Sequence, residues 1–160
     1  MKSLVVYSSQ TGNTKKLAEA VYDVLPGQKD IYTITEAPDP SGYDWVALGF
    51  WFKAEKPDPN SLEYLPRLSG KSLFLFATHG APQEYDHVTN GMKQAEILAQ
   101  GARIIGTFSC QGEVNPKVLE AVRAKGKTPL WIERAEEAIG HPSESDIQRL
   151  KETVAAALNI

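Results

Sequence analysis

Apolar and polar positions follow two different periods along the chain, and the period changes from one segment to the next. Runs rich in apolar, β-branched and aromatic residues occupy residues 3–8, 45–50, 72–78 and 102–109. Such runs are typical of strands that are buried on both faces of a parallel sheet. A weaker alternation over residues 30–35 is typical of an edge strand. The pattern therefore predicts five strands.

Helical periodicity separates these runs. Apolar residues three or four positions apart predict helices over residues 15–25, 60–68, 88–99, 116–125 and 143–158. Asn60 or Ser61 is the expected N-cap of the second helix. Residues 129–138 stay ambiguous, because the apolar residues 130–132 fit either a short strand or a packed turn.

Strands that alternate with helices predict an α/β fold, here as one domain over residues 1–160, with helices on both faces of a parallel sheet. The composition, 42% hydrophobic and 23% charged residues, is ordinary for a globular domain of this length. Ligands of such sheets bind beyond the carboxyl ends of the strands. We therefore expect the functional residues in the loops after the first, third, fourth and fifth strands.

Composition also excludes several classes of function. The formal net charge of −3 argues against non-specific binding to nucleic acid. Cys110 is the only cysteine, so a disulfide within the chain and a cysteine-rich metal site are both excluded. The three histidines are too isolated in sequence to form a metal-binding motif. No apolar run reaches the length of a membrane span, and no signal peptide is recognisable, so a cytoplasmic protein is expected.

The loop after the first strand is polar but uncharged. Its residues are Ser8, Ser9, Gln10, Thr11, Gly12, Asn13 and Thr14. Hydroxyls, amides and the backbone N–H groups of a helix N-terminus can surround a phosphate, and a glycine allows the tight turn. The alternative is a plain strand-to-helix turn, but a cap needs only one such residue. We therefore predict a site that anchors the phosphate of a bound cofactor.

Other nucleotide and catalytic motifs are not supported. The segment Gly70-Lys71-Ser72 resembles the end of a P-loop, but Leu65 occupies the position of the first glycine and a strand follows. No G-x-G-x-x-G follows the first strand, and no G-x-S-x-G elbow is present. No catalytic residue is therefore predicted.

The segment from Ser8 to Thr14 resembles the phosphate loop of the flavodoxin family in composition, spacing and position. The resemblance extends over the whole chain. It implies the known flavodoxin arrangement, a doubly wound five-stranded parallel sheet of order 2-1-3-4-5 with non-covalent FMN at the switch in strand order. Within the family, residues 49–51 and 107–112 resemble a short subgroup, the BilS type, some of whose members are encoded beside bacterial bilirubin reductases.

The resemblance further implies that two loops hold the flavin ring, while residues 109–112 lie along one of its edges. The residues so assigned are Gly49, Phe50, Trp51, Phe52, Lys53, Thr78, His79, Gly80, Ala81, Tyr85, Ser109, Cys110, Gln111 and Gly112. Trp51 either stacks on the ring or packs over the sheet edge, and Tyr85 is the candidate for the opposite face. One of the three aromatic residues 50–52 is expected to point into the core.

Two of these residues have competing roles. His79 either donates a hydrogen bond to the flavin edge or is a solvated loop histidine. Cys110 is expected to act as a small apolar residue, with a reactive thiol as the alternative.

The resemblance implies an electron carrier, a monomer or weak dimer that works between a reductase and an acceptor enzyme. Loops too short to build a substrate pocket favour this function over the first alternative, an FMN-dependent reductase of quinones or other small molecules. The second alternative is a flavin-free receiver-like signalling domain. Receivers need acidic residues at the ends of the first and third strands, where Ser8 and Phe50 stand instead.

Overall fold

The apolar runs form a parallel sheet in the computed structural model, which describes residues 1–126 and 130–160. The strands are β1 (Lys2–Tyr7), β2 (Gln28–Thr33), β3 (Trp45–Lys53), β4 (Lys56–Pro57), β5 (Ser72–His79) and β6 (Arg103–Gln111). The order is β2-β1-β3-β5-β6, and the two-residue β4 pairs antiparallel with β3. When β4 is left out and the last two strands are counted as the fourth and fifth, this is the predicted order 2-1-3-4-5. The predicted order is therefore confirmed.

In the described ranges, six α-helices connect or flank the strands. They are α1 (Asn13–Val24), α2 (Pro59–Tyr64), α3 (Asp86–Leu98), α4 (Pro116–Ala124), α5 (Leu130–Glu133) and α6 (Glu144–Leu158). Short 3-10 helices span Pro40–Gly42, Leu65–Leu68 and Ala135–Ala138. In the ambiguous segment, Pro129 lies outside the described residues, and helical turns rather than a strand follow it.

Each face of the sheet has its own apolar core. On one face, Leu17 and Val21 of α1 and Leu150 of α6 are buried with strand residues such as Phe74 and Phe76. On the other face, α3 and the 3-10 helix Leu65–Leu68 cover residues of β1, β3 and β5. The helices therefore sandwich the sheet, as the alternating periods predicted.

Strands β3, β5 and β6 extend one to three residues beyond their predicted carboxyl ends, whereas β1 ends one residue earlier than predicted. The third strand was expected to end at Phe50 but continues to Lys53, because Trp51 still pairs with β5 and the next two residues pair with β4. A two-residue turn, Ala54 and Glu55, then reverses the chain into β4. Both turn residues have positive φ, 51° and 61°, as the twist of such hairpins requires.

Residues 112–126 and 130–143 lie between β6 and α6 in the chain and contact the carboxyl end of the sheet. Within this segment, the Glu113 carbonyl accepts a hydrogen bond from Asn13 Nδ2 at 3.0 Å, and Arg134 forms an ion pair with Glu84 at 2.6 Å. The helical pattern of 116–125 indicated a helix that covers the sheet, yet α4 has no buried residue.

Among residues 1–126 and 130–160, no helix is both long enough and apolar enough to cross a membrane.

Candidate functional site

The N-terminus of α1 is open to an anion. Gly12 is the N-cap residue of the helix, with φ 94°, and has no side chain that could cap the first turn. The space around Gly12 is empty, since a Cβ added there would have no atom within 4 Å. Ser9 Oγ accepts hydrogen bonds from the backbone N–H groups of Gly12 at 3.1 Å and Lys15 at 3.3 Å. These donors, together with the helix dipole, fit a phosphate group.

Two of the seven predicted phosphate-loop residues are buried and tie the loop to the sheet. Ser8 Oγ donates to Asp58 at 2.8 Å. Thr14 Oγ1 lies 2.9 Å from Thr78 Oγ1, in a contact that joins α1 to β5. Because these hydroxyls already have protein partners, the accessible side chains of the loop are those of residues 9–11, and Ser8 and Thr14 hold the loop in place.

Asp58 is a functional candidate that the sequence analysis missed. Its carboxylate is 1% exposed and accepts from Ser8 Oγ, from the backbone N–H and Oγ of Ser61, and from the backbone N–H of Trp51 at 3.4 Å. It is also the N-cap of α2, where Asn60 or Ser61 was expected. The signal was present, because an Asp followed by Pro59 is typical of a helix start.

An open groove of about 400 Å³ connects the phosphate loop with the hairpin of β3 and β4. It is lined by Ser8, Ser9, Gln10, Trp51, Lys53, Asp58, Pro59 and Asn60. The structure thus brings together residues of the loops that were predicted to follow the first and third strands. Trp51 is half-buried there and offers an aromatic surface beside the phosphate loop.

The neighbours of Trp51 in β3 belong to the core. Phe50 is fully buried, so the expectation that one of the three aromatic residues points inward is confirmed. Its assignment as a ring-contacting side chain is wrong for the same reason. Gly49 also has a packing role, because a Cβ there would lie 2.2 Å from the Phe76 ring. Phe52 packs between Phe50 and His79.

His79 lies in the interior, so the solvated-loop alternative is wrong. The residue ends β5, is 4% exposed, and places Nδ1 2.7 Å from the carbonyl oxygen of Ala81. Burial lowers its pKa to about 4, against the opposing effect of its hydrogen bonds to Ala81 and Gln83. The imidazole is therefore neutral at physiological pH.

The loops after β5 and β6 are fastened to one another. The backbone N–H of Gly112 donates to the His79 carbonyl at 2.9 Å, and Gln111 Nε2 donates to the Gly80 carbonyl at 3.4 Å. Gly112 also lies so close to Asn13 that a Cβ would be 2.6 Å from its Nδ2 atom. The predicted ring-edge residues 109–112 therefore adjoin both the phosphate loop and the loop that begins at His79.

Cys110, near the end of β6, and Ala81, in the loop after β5, are both buried. Burial raises the pKa of the Cys110 thiol to about 12, and the negative charge of Asp146 acts in the same direction. Only 2% of the Cys110 surface is exposed. The thiol is therefore protonated and inaccessible, which supports the small apolar role over the reactive one.

Tyr85 is partly covered by a cation. The Arg134 guanidinium lies 5.4 Å from the centre of the Tyr85 ring, and the same arginine pairs with Glu84 and Glu137. Tyr85 is not among the residues that line the groove beside Trp51. The two predicted aromatic residues thus belong to different parts of the carboxyl edge.

No group of three or more histidine, cysteine, aspartate or glutamate side chains within the described part of the chain could hold a metal ion.

Comparison with known proteins gives a consistent family. Residues 4–155 match the family model of the flavodoxin domain. A flavodoxin-like domain-containing protein BilS of Clostridioides difficile (strain CD3) is 36% identical over 163 residues, covering 92% of this chain and 90% of that protein. A protein of the same name from Clostridium symbiosum (strain WAL-14163) is 26% identical over 173 residues, also covering 92% of this chain and 90% of its own length.

Solved structures agree with the fold. The crystal structure of oxidised Flavodoxin 2 from Bacillus cereus superposes with a TM-score of 0.63, covering 99% of both chains at 16% identity. At that identity the likeness concerns the fold alone, and it matches the doubly wound sheet described above.

Proposed function

The chain belongs to the flavodoxin family, and from this premise we propose that it binds one FMN without a covalent bond and carries electrons between a reductase and an acceptor enzyme. The observation that supports this function best is the N-terminus of α1, with a glycine as its N-cap residue, beside the groove that Trp51 lines. An anion-binding helix end and an aromatic surface are the two elements that a flavin phosphate and a flavin ring require.

The phosphate contacts are assigned to accessible groups. Side-chain hydrogen bonds are available from Ser9, Gln10 and Thr11. The backbone N–H groups that donate to Ser9 Oγ could donate to a phosphate oxygen instead. The hydroxyls of Ser8 and Thr14 hold the loop against Asp58 and β5. The loop itself contains no charged residue, which suits a permanently held phosphate better than a transferred one.

The ring contacts are assigned to the groove and its neighbouring loops. Trp51 is the proposed stacking residue, and Lys53 lies exposed at the rim of the same groove. Bound FMN would supply the redox chemistry by accepting and donating electrons. The protein would bind, orient and shield it. We propose a cytoplasmic monomer or weak dimer whose partners are a reductase donor and an acceptor enzyme.

Thr11→Asp tests the phosphate site. A carboxylate at this exposed position would repel the phosphate dianion, so the affinity for FMN should fall about fivefold or more, since nearby like charges cost about 1 kcal/mol or more. Isothermal titration of the apoprotein with FMN measures the loss. Thr153→Asp, the same substitution in α6, should leave the affinity unchanged.

The visible spectrum of the purified protein provides the complementary observation. A wild-type protein that shows flavin absorption, or that acquires it on addition of FMN, supports the proposed function. A colourless wild-type protein that ignores added FMN, or a Thr11→Asp variant with unchanged affinity, contradicts the assignment.

One observation favours the alternative function, an FMN-dependent reductase that acts on small molecules. Arg134, in the segment between α4 and α6, forms an ion pair with Glu84 in the loop after β5, so this segment comes close to one of the predicted ring loops. Turnover with NAD(P)H and a quinone separates the two functions. A carrier should show almost no turnover until a flavodoxin reductase is added. A reductase should reduce the quinone without that addition.

A further inference from the structure

Three polar side chains connect the end of β5 and the loop after it with the edge strand β6. They have no part in the phosphate site. His79 Nε2 lies 3.2 Å from the carboxamide oxygen of Gln83, and the carboxamide nitrogen lies 2.8 Å from Ser109 Oγ. The three residues span 30 positions of sequence and meet only because β5 and β6 are neighbours, with His79 opposite Gln111. The first of them is buried and the second is exposed.

The orientation of the Gln83 carboxamide follows from the state of His79. The Ala81 carbonyl can only accept, so Nδ1 of the neutral imidazole carries the proton and donates to it. Nε2 then has a lone pair and no proton, and an oxygen facing it would be repelled. A half-turn of the carboxamide places its nitrogen toward His79 and its oxygen toward the Ser109 hydroxyl, with the other atoms unmoved.

Two hydrogen-bonding positions of Gln83 remain for a ligand. The carboxamide nitrogen has a second hydrogen, and its oxygen has a second lone pair. Both belong to an exposed side chain, while its partners are a buried histidine and a strand residue. A flexible glutamine is thereby held as a fixed donor and acceptor, which lowers the entropy that a ligand contact would otherwise cost.

We propose that Gln83 recognises the imide edge of the flavin ring, with its carboxamide held in orientation by His79 and Ser109. The pyrimidine part of a flavin presents an N3–H donor flanked by two carbonyl oxygens, which is the complement of a carboxamide oxygen and N–H. Gln83 belongs to the loop that follows His79, and its carboxamide lies within hydrogen-bond distance of Ser109. These two segments are the ones assigned to the ring and to its edge. This inference rests on the proposed FMN site.

The role distinguishes Gln83 from a residue that only packs the loop. A site that hydrogen-bonds a ligand N–H discriminates strongly against an analogue that lacks it, because its own polar group is left unpaired. Methylation of N3 removes the donor. Gln83 should therefore make the protein prefer riboflavin over 3-methylriboflavin, two ligands that lack the phosphate and so do not depend on the loop at Ser9.

The test is a comparison of four dissociation constants, measured by fluorescence titration of the apoprotein. Wild type should bind riboflavin about tenfold more tightly than 3-methylriboflavin. In Gln83→Ala, riboflavin should weaken by about fivefold to tenfold, and the preference should fall to about twofold or less. Gln100→Ala, at an exposed glutamine that follows α3, is the matched control and should keep the wild-type preference.

His79 is proposed as a positioning residue, and its role has its own readout. His79→Asn keeps an N–H that can donate to Ala81 but lacks the Nε2 acceptor, so the preference should take an intermediate value. Nitrogen NMR of the wild-type apoprotein should show His79 as the neutral imidazole protonated at Nδ1. A proton on Nε2 would overturn the proposed orientation of the carboxamide.

The outcomes separate this inference from the proposed function. If wild type binds FMN but Gln83→Ala retains the full preference for riboflavin, the role of Gln83 is overturned while the FMN site stands. If wild type binds FMN and shows no preference between the two riboflavins, the role of Gln83 is likewise overturned. Absence of FMN binding in wild type would overturn both.

Discussion

Asp58 illustrates how one buried side chain can position a whole site. Its two oxygens receive hydrogen bonds from Ser8 in the phosphate loop, from Ser61 in α2 and from the backbone of Trp51. A buried carboxylate is tolerated because these donors satisfy it. The same contacts connect the phosphate loop to the aromatic hairpin, so we expect Asp58 to influence ligand binding through its neighbours.

Removal of this carboxylate should be costly. Asp58→Ala leaves buried donors unpaired and removes the cap of α2, so the free energy of unfolding should fall by about 2–3 kcal/mol. Urea denaturation of the apoprotein measures the change. The control is Asp39→Ala, which removes an exposed cap of the 3-10 helix Pro40–Gly42 and should cost about 1 kcal/mol or less. Equal losses in the two variants would contradict the positioning role.

At the scale of secondary structure elements, the hairpin of β3 and β4 is the part of the site most dependent on its neighbours. Its turn residues Ala54 and Glu55 have positive φ, a conformation that costs a residue with a side chain about 1 kcal/mol or more. Packing compensates: Phe52 lies against Phe50, His79 and His87, and its ring also covers Gly91 of α3.

Gly91→Ala tests this packing, because two effects of opposite sign compete. A glycine replaced by alanine inside a helix normally stabilises by about 1 kcal/mol. Here the new Cβ would lie 2.5 Å from the Phe52 ring, which neighbouring rings hold in place, and overpacking costs about 1–3 kcal/mol. We expect a net loss of about 1 kcal/mol in thermal or urea unfolding. Gly42→Ala, where a Cβ meets no atom within 4 Å, should change stability little.

At the scale of the whole molecule, the buried His79 links stability to pH. Its pKa is about 4 in the folded protein and 6.5 as an ordinary value. Between these pH values the unfolded chain binds a proton at this histidine that the folded chain does not. The contribution of His79 to the free energy of unfolding is therefore fully present above pH 6.5 and is lost as the pH is lowered towards 4. Below the folded pKa this contribution no longer changes.

The predicted loss is about 3 kcal/mol across that interval, from a shift worth about 1.4 kcal/mol per pH unit. Urea unfolding of the apoprotein at a series of pH values measures it. The His79→Asn variant cannot take up this proton, so its stability should depend less on pH between 6.5 and 4. Parallel curves for the two proteins would show that His79 is not responsible.

The carboxyl end of the sheet also shows where a correct local prediction led to a wrong global one. The helix over 116–125 was expected, and α4 forms there. Its place was not predictable, because an amphipathic pattern does not say which surface the apolar face meets. In the described structure no residue of α4 is buried, and Arg134, further along the segment, reaches Glu84 beside the site.

The sequence by itself determined the sheet, its order through the family resemblance, and the polar loop from Ser8 to Thr14. These are local properties, since strand and helix periods and a cap-rich loop can be recognised within about ten residues. Only the tertiary structure decided which polar groups of the site are free. The Ser8 hydroxyl donates to Asp58, and Gln83 lies within hydrogen-bond distance of both His79 and Ser109. These contacts depend on strand register and on loops from distant parts of the chain.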